Sequence, residues 1–155
     1  MKTPTTNLIV LLMPALFLFV GCDDNSTGSN TPESGTISGT VAFTPVDAGT
    51  TFPVAITDTV RISIHNNWYP TGAPYSIKVI TIDDLDDNNQ YNYTFHNVAF
   101  DTYRAIAVDI ANGIPGYHIW GVYGATAQTG FMDADSIIVS VDNYNHTDLN
   151  ITASY

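Results

Sequence analysis

The sequence predicts an all-β protein: a single antiparallel β-sandwich of seven to eight strands, set behind a signal peptide and a flexible tether. Three observations predict it. Apolar residues alternate with polar ones in short runs between Ile37 and Ala153, the pattern of strands with one buried face. No stretch carries a helical period. The runs are separated by turns rich in Pro, Gly, Asn and Asp, as expected of many short strands in two layers. At 155 residues the chain is long enough for one domain with a real core.

The first segment reads as an address. Lys2 precedes residues 8–20, LIVLLMPALFLFV, an apolar run that suits a secretory signal and is short for a bilayer span. It ends in Val20-Gly21-Cys22, and the chain has only 1 cysteine. This ending resembles a bacterial lipobox, with Phe19 where leucine is usual. The resemblance implies that residues 1–21 are removed by signal peptidase II and that the Cys22 thiol carries diacylglycerol, its new amine an acyl chain. At ~0.8 kcal/mol per buried CH₂, several acyl chains make such an anchor permanent. Residues 22–34 are then the lipidated cysteine and a tether, DDNSTGSNTPES after Cys22, with a coil span of roughly 20 Å. Asp23 and Asp24 resemble both the surface-export signals of some lipoproteins and the inner-membrane retention signals of others. Outer membrane or cell surface is the first expectation, with the leaflet left open.

Residues 35–155 are the β domain. Ile37, Val41 and Phe43 alternate with small polar residues, with Gly39 on the apolar face. Val60, Ile62 and Ile64 alternate with Arg61, Ser63 and His65. Tyr75, Ile77 and Val79 start a third strand, and Ile80 and Ile82 then switch phase, which predicts a β-bulge near Val79-Ile80. Residues 89–110 form the central hairpin. Tyr91, Tyr93 and Phe95 share one strand face, residues 98–102 turn, and Ile106, Val108 and Ile110 return. Residues 117–123, YHIWGVY, are apolar on both faces and predict a buried central strand. Ile137, Val139 and Val141 form the seventh strand, and Leu149, Ile151 and Ala153 the last.

The central stretch, through Tyr91, Tyr93, Phe95, Asn97, Val98, Tyr103 and Val108, resembles the hairpin of carboxypeptidase-regulatory-like domains, which are transthyretin-like (prealbumin-like) β-sandwiches. Asn89 and Asp101 stand near the places of two glycines of that pattern. The opening GTISGTVAF resembles the first strand of the family, and the closing IIVSVDNYNHTDLNITA its last hairpin. The resemblance spans residues 35–155 and implies a module that is rarely catalytic.

Charge narrows the partners. Acids number 15 against 4 bases. Without Lys2 the bases are Arg61, Lys78 and Arg104, and the mature charge is −12. Such a surface argues against nucleic acid and against anionic lipid, and it can gather cations. No nucleophile elbow, phosphate loop, dinucleotide fingerprint or HExxH motif occurs. His65, His96, His118 and His146 show no ligand spacing and read as strand-face or rim histidines. No enzyme is therefore expected.

Two short stretches stand out. In residues 82–89, IDDLDDNN, the residues Asp84, Asp86 and Asn88 have the D-x-D-x-N spacing of a calcium loop, although Asn89 replaces the glycine and the closing Glu is missing. A plain solvated acidic turn with no cofactor is the first expectation, and weak calcium binding led by Asp84, Asp86 and Asn88 is the alternative. In residues 65–75, HNNWYPTGAPY, the aromatics Trp68 and Tyr69 sit in a turn bounded by prolines, placed to meet a sugar or protein partner or to plug the end of the fold. Asp58-Thr59-Val60 and Asp135-Ser136-Ile137 also resemble an O-glycosylation acceptor of some bacterial envelopes. If every connection reverses, loops 66–73, 98–102 and 124–134 share one end with both termini. Loops 44–53, 83–90, 111–116 and 142–146, carrying Asp47 and Asp142, then share the other. The functional expectation is a non-enzymatic, membrane-anchored envelope lipoprotein presenting a binding or structural module to a glycan or envelope protein. The alternatives are a surface-fibre subunit and a carbohydrate-binding accessory module.

Overall fold

The computed structural model describes residues 31–52, 59–111 and 118–155, and Thr31–Tyr155 forms a compact unit of its own. The signal run, Cys22, most of the tether, Asp58, Tyr117 and nearly all of loop 111–116 lie outside the described residues. The fold is all-β, as the alternation predicts. Its strands are β1 (Gly35–Thr44), β2 (Thr59–His65), β3 (Ser76–Ile80), β4 (Gln90–Val98), β5 (Asp101–Tyr103), β6 (Ala105–Ala111), β7 (His118–Val122), β8 (Ile137–Val139), β9 (Asn145–His146) and β10 (Ile151–Ser154).

One sheet has the order β10-β1-β4, with β9 also on β1; a second has the order β3-β2-β6-β7; β5 and β8 form a separate pair. Both larger sheets turn an apolar face to one core. Ile37, Val41, Phe43, Tyr93, Phe95, Ile151 and Ala153 come from the first sheet, and Val60, Ile62, Ile64, Ile80, Ile106 and Val108 from the second. This is the packing that one-faced sheets need. The register predicted for Tyr93, Phe95 and Val108 is the observed one, since all three are buried.

Several pairings differ from the sequence reading. Residues 89–110 are not a hairpin: β4 pairs with β1, and β6 pairs with β2 and β7. The chain changes sheets through β5, and Tyr103 fixes that corner. Its ring is fully buried, and its hydroxyl donates to the Ala99 carbonyl at 2.9 Å. The Tyr75 hydroxyl accepts the Ala99 N–H at 2.9 Å. A buried tyrosine tied to backbone a few residues upstream is a known way to hold a sheet-switching corner.

The last two strands are not a hairpin either. β8 pairs with β5, while β9 and β10 both run parallel to β1, along its first and second halves. The sheet is therefore mixed, and the strands number ten among the described residues rather than seven or eight. Between β9 and β10 the chain kinks. Asp148 adopts φ 59°, and the Leu149 backbone lies so close to β1 that a Cβ at Gly39 would overlap its carbonyl. This parallel return corrects the expected arrangement of ends. The C-terminus meets the far end of β1, where the Val46 N–H donates to the Tyr155 carbonyl. Residues 145–146 lie beside Thr36 and Ile37, at the near end.

Two smaller corrections follow from edges. No bulge interrupts β3, whose register with β2 is continuous from Val60↔Ile80 to Ile64↔Ser76. As the end strand of its sheet, β3 keeps Ile77 and Val79 outward and exposed, with Ile80 inward. β7, expected at the centre, is the other end strand and is only partly buried. It looked two-faced because it is covered on its flank as well. At Gly121 it touches the backbone of Thr152 and Ala153 closely enough to exclude any side chain.

Candidate functional site

The aromatic turn, read either as a partner-binding loop or as a plug for the end of the fold, folds back onto its own domain. Trp68 is half-buried, and its indole Nε1–H donates to the Phe131 carbonyl at 2.7 Å. It belongs to a second apolar cluster on the outer face of the β3-β2-β6-β7 sheet, around Ala105, Ala107 and Val122. Tyr69 stays exposed beside it, with ring centroids 5.2 Å apart. Asn66 Nδ2 donates to Asp101 Oδ2 at 3.0 Å. Loops 66–73, 98–102 and 124–134 are thus gathered at one end, as the parity argument expects.

Trp68 covers polar chemistry that the alternation hid. Arg61, Ser63 and His65 point outward from β2, yet Ser63 and His65 are buried. Asp109, directly across on β6, is 3% exposed in its side chain and Arg61 is 26%. Arg61 Nε donates to Asp109 Oδ1 at 2.7 Å, and Nη2 donates to the same oxygen. The Ser63 hydroxyl lies 2.8 Å from His65 Nε2 and 3.5 Å from Asp109 Oδ2. The Trp68 ring packs on His65 at 5.8 Å between centroids. Burial pushes the His65 pKa below its usual value; Asp109 opposes the shift and Arg61 adds to it. Ser, His and Asp here form an enclosed polar network rather than an exposed nucleophile. Only an acid and a base meeting in mid-strand, Arg61 and Asp109, hinted at it in the sequence.

The acidic turn is capped by its own carboxylates. Residues Ile82–Asp84 make one 3₁₀ turn. Asp84 Oδ2 accepts both the Thr81 N–H and the Thr81 hydroxyl at 2.7 Å, which lowers its pKa. Asp86 Oδ1 accepts the N–H groups of Asn88 and Gln90 at 2.8 and 2.9 Å. Asn89, at the glycine position, takes the left-handed φ of 56° itself. Among the described residues no three His, Cys, Asp or Glu side chains are placed to hold a metal. The histidines do not meet: His96 and His118 are exposed on separate strands, and His146 Nε2 lies against the Ile138 and Asn143 carbonyls. Ser136 is exposed before β8, on the surface an acceptor site would need.

A further concavity among the described residues lies elsewhere. A groove of about 410 Å³ runs between β7, β10 and the loop after β7. Trp120 and Phe131 give it aromatic walls, and Thr126, Gln128, Asn150, Thr152 and Ser154 give it hydroxyls and amides. Trp120 is braced by Phe52 and Tyr155, with centroids 6.2 and 5.6 Å away. The loop closes on itself through the Phe131 N–H to the Thr126 carbonyl at 3.1 Å, with Gly130 at φ 63°. Sequence reading placed Trp120 in a buried strand and so missed this wall. Compared with known family models, curated proteins and solved structures, the chain matches none.

Proposed function

We propose that the protein is a lipid-anchored bacterial envelope lipoprotein whose transthyretin-like β-sandwich serves as a non-enzymatic binding or structural module. The observation that carries this reading is the apolar run 8–20 closed by Gly21 and the sole cysteine, Cys22, followed by a polar tether. A thiol at the end of such a run suits thioether formation, and no second cysteine exists to make it a disulfide. The all-β unit Thr31–Tyr155 behind the tether supports a presented module. The enclosure of Ser63, His65 and Asp109 supports a non-catalytic reading. The formal charge of −12 on the mature chain supports a partner other than nucleic acid.

The test is replacement of Cys22 by Ser. Wild type should partition into the detergent phase and accumulate as precursor when signal peptidase II is inhibited. The variant should remain unprocessed and take up no labelled fatty acid. Normal processing of the variant, or wild-type maturation that ignores the inhibitor, rejects the lipoprotein reading.

A surface-fibre subunit is the second reading, favoured by one observation. β3 ends its sheet among the described residues and exposes Ile77 and Val79 at 44% and 54%, an edge open to strand addition. Against it, no Arg or Lys occurs between Cys22 and Arg61, so a trypsin-like cut cannot free a leading strand. Size-exclusion of the mature protein separates the readings: a ladder of oligomers supports the fibre, and a single monomer peak the module.

A further inference from the structure

We propose that the groove between β7, β10 and loop 124–131 binds a neutral oligosaccharide. The proposal rests on reading the domain as a binding module and is independent of the lipid anchor. Its volume of about 410 Å³ falls within the ~300–1,000 Å³ of small-ligand sites. Its lining combines two chemistries. Trp120, Val122, Ala125 and Phe131 offer apolar surface, and Thr126, Gln128, Asn150, Thr152 and Ser154 offer neutral donors and acceptors. A sugar ring has the complementary pair: an apolar C–H face, which rests on the electron-rich face of an aromatic ring, and a rim of hydroxyls.

Charge excludes the competitors. Not one residue lining the groove is ionised at neutral pH, in a chain with 15 acids. A cation would want carboxylates, and a phosphate or acidic sugar would want Arg or Lys. A purely apolar ligand would strip water from the exposed Gln128 amide and Thr152 hydroxyl and give nothing in return.

The walls are also set before any ligand arrives. Trp120 is held by Phe52 and Tyr155. Asn150 is oriented by the Thr40 N–H, which its Oδ1 accepts at 2.9 Å. Gln128, Thr152 and Ser154 are exposed and able to adapt. Such preorganisation lowers the entropy lost on binding.

The chain holds 2 tryptophans, so a ¹⁵N-labelled sample gives two indole N–H signals, one for each candidate site. The full chain, in a detergent without a sugar headgroup, is titrated with cellohexaose, laminarihexaose, maltohexaose and chitohexaose, and with oligogalacturonate as the acidic control. At least one neutral hexasaccharide should move the Trp120 indole and the Gln128 side-chain amide saturably, with a Kd of ~10⁻⁵–10⁻³ M. The Gln128→Ala/Thr152→Ala double variant, which removes no core contact, should weaken this at least about 10-fold at an unchanged melting temperature. The proposal is overturned if no neutral sugar shifts Trp120, if Trp68 alone responds, if oligogalacturonate binds as well, or if the double variant binds like wild type.

Discussion

Breaking the Arg61–Asp109 pair from one side should cost more than breaking it from the other. The Asp109 side chain is 3% exposed and that of Arg61 is 26%. Arg61→Met keeps the apolar stem and strands an enclosed carboxylate beside the Ser63 hydroxyl at 3.5 Å. Removing one partner of a buried ion pair costs about 3–5 kcal/mol. Asp109→Asn instead leaves a guanidinium that water already reaches, and the loss falls to the ~1.5–3 kcal/mol of a hydrogen bond to a charged group. The double variant removes both charges and should lose less than the sum, by at least about 1 kcal/mol, because the two residues touch. Urea unfolding of the four proteins measures this as midpoint shifts at constant slope. Equal losses below about 1 kcal/mol, or strict additivity, would show that the pair is a solvated surface contact and refute the enclosure argument.

Three further outcomes follow. Phe95→Ala should lose roughly 3–5 kcal/mol in the same assay, since the ring is 3% exposed, packs edge-on against Tyr93 at 5.9 Å and lies 5.8 Å beneath Lys78 Nζ; a loss under about 1 kcal/mol would place it outside the core. Tyr103→Phe should cost about 0.5–1.5 kcal/mol by removing the hydrogen bond to the Ala99 carbonyl at the sheet-switching corner, and an unchanged midpoint would deny the corner its role. Because the folded pKa of His65 lies below the unfolded value of about 6.5, the unfolded chain takes up the proton first, so this contribution to stability is complete above about pH 6.5 and is lost as pH falls from there. Urea midpoints between pH 7.5 and 5 should therefore drop more steeply for wild type than for His65→Asn, and parallel curves would exclude the effect.

What the sequence made legible was local. Alternation placed Tyr93, Phe95, Val60, Ile62 and Ile64 on buried faces because side-chain period depends only on the strand. Pairing was less legible because it depends on partners far along the chain. The stretch from Tyr91 to Ile110 has a hairpin's pattern, yet Tyr103 turns it from one sheet into the other. The final strand reads the same whether it runs antiparallel or parallel to its neighbour, and its pairing with β1 from Val41↔Ile151 to Thr44↔Ser154 shows the parallel course. Of the predicted site residues, Asp84 and Asp86 bond their own turn and Trp68 bonds Phe131, uses that local spacing does not reveal. The Ser63–His65–Asp109 network escaped because outward-facing strand positions read as solvated until another loop covers them. The groove escaped because its residues come from two stretches, 120–131 and 150–154, that meet only in the fold.

Intact-mass spectrometry of the protein purified from membranes tests the proposed lipid anchor most directly. The expected chain begins at Cys22 and is heavier than its sequence by a diacylglycerol and an amide-linked fatty acid, with both additions mapping to the N-terminal peptide. A mature chain with a different first residue, or with Cys22 present as a free thiol, would contradict it.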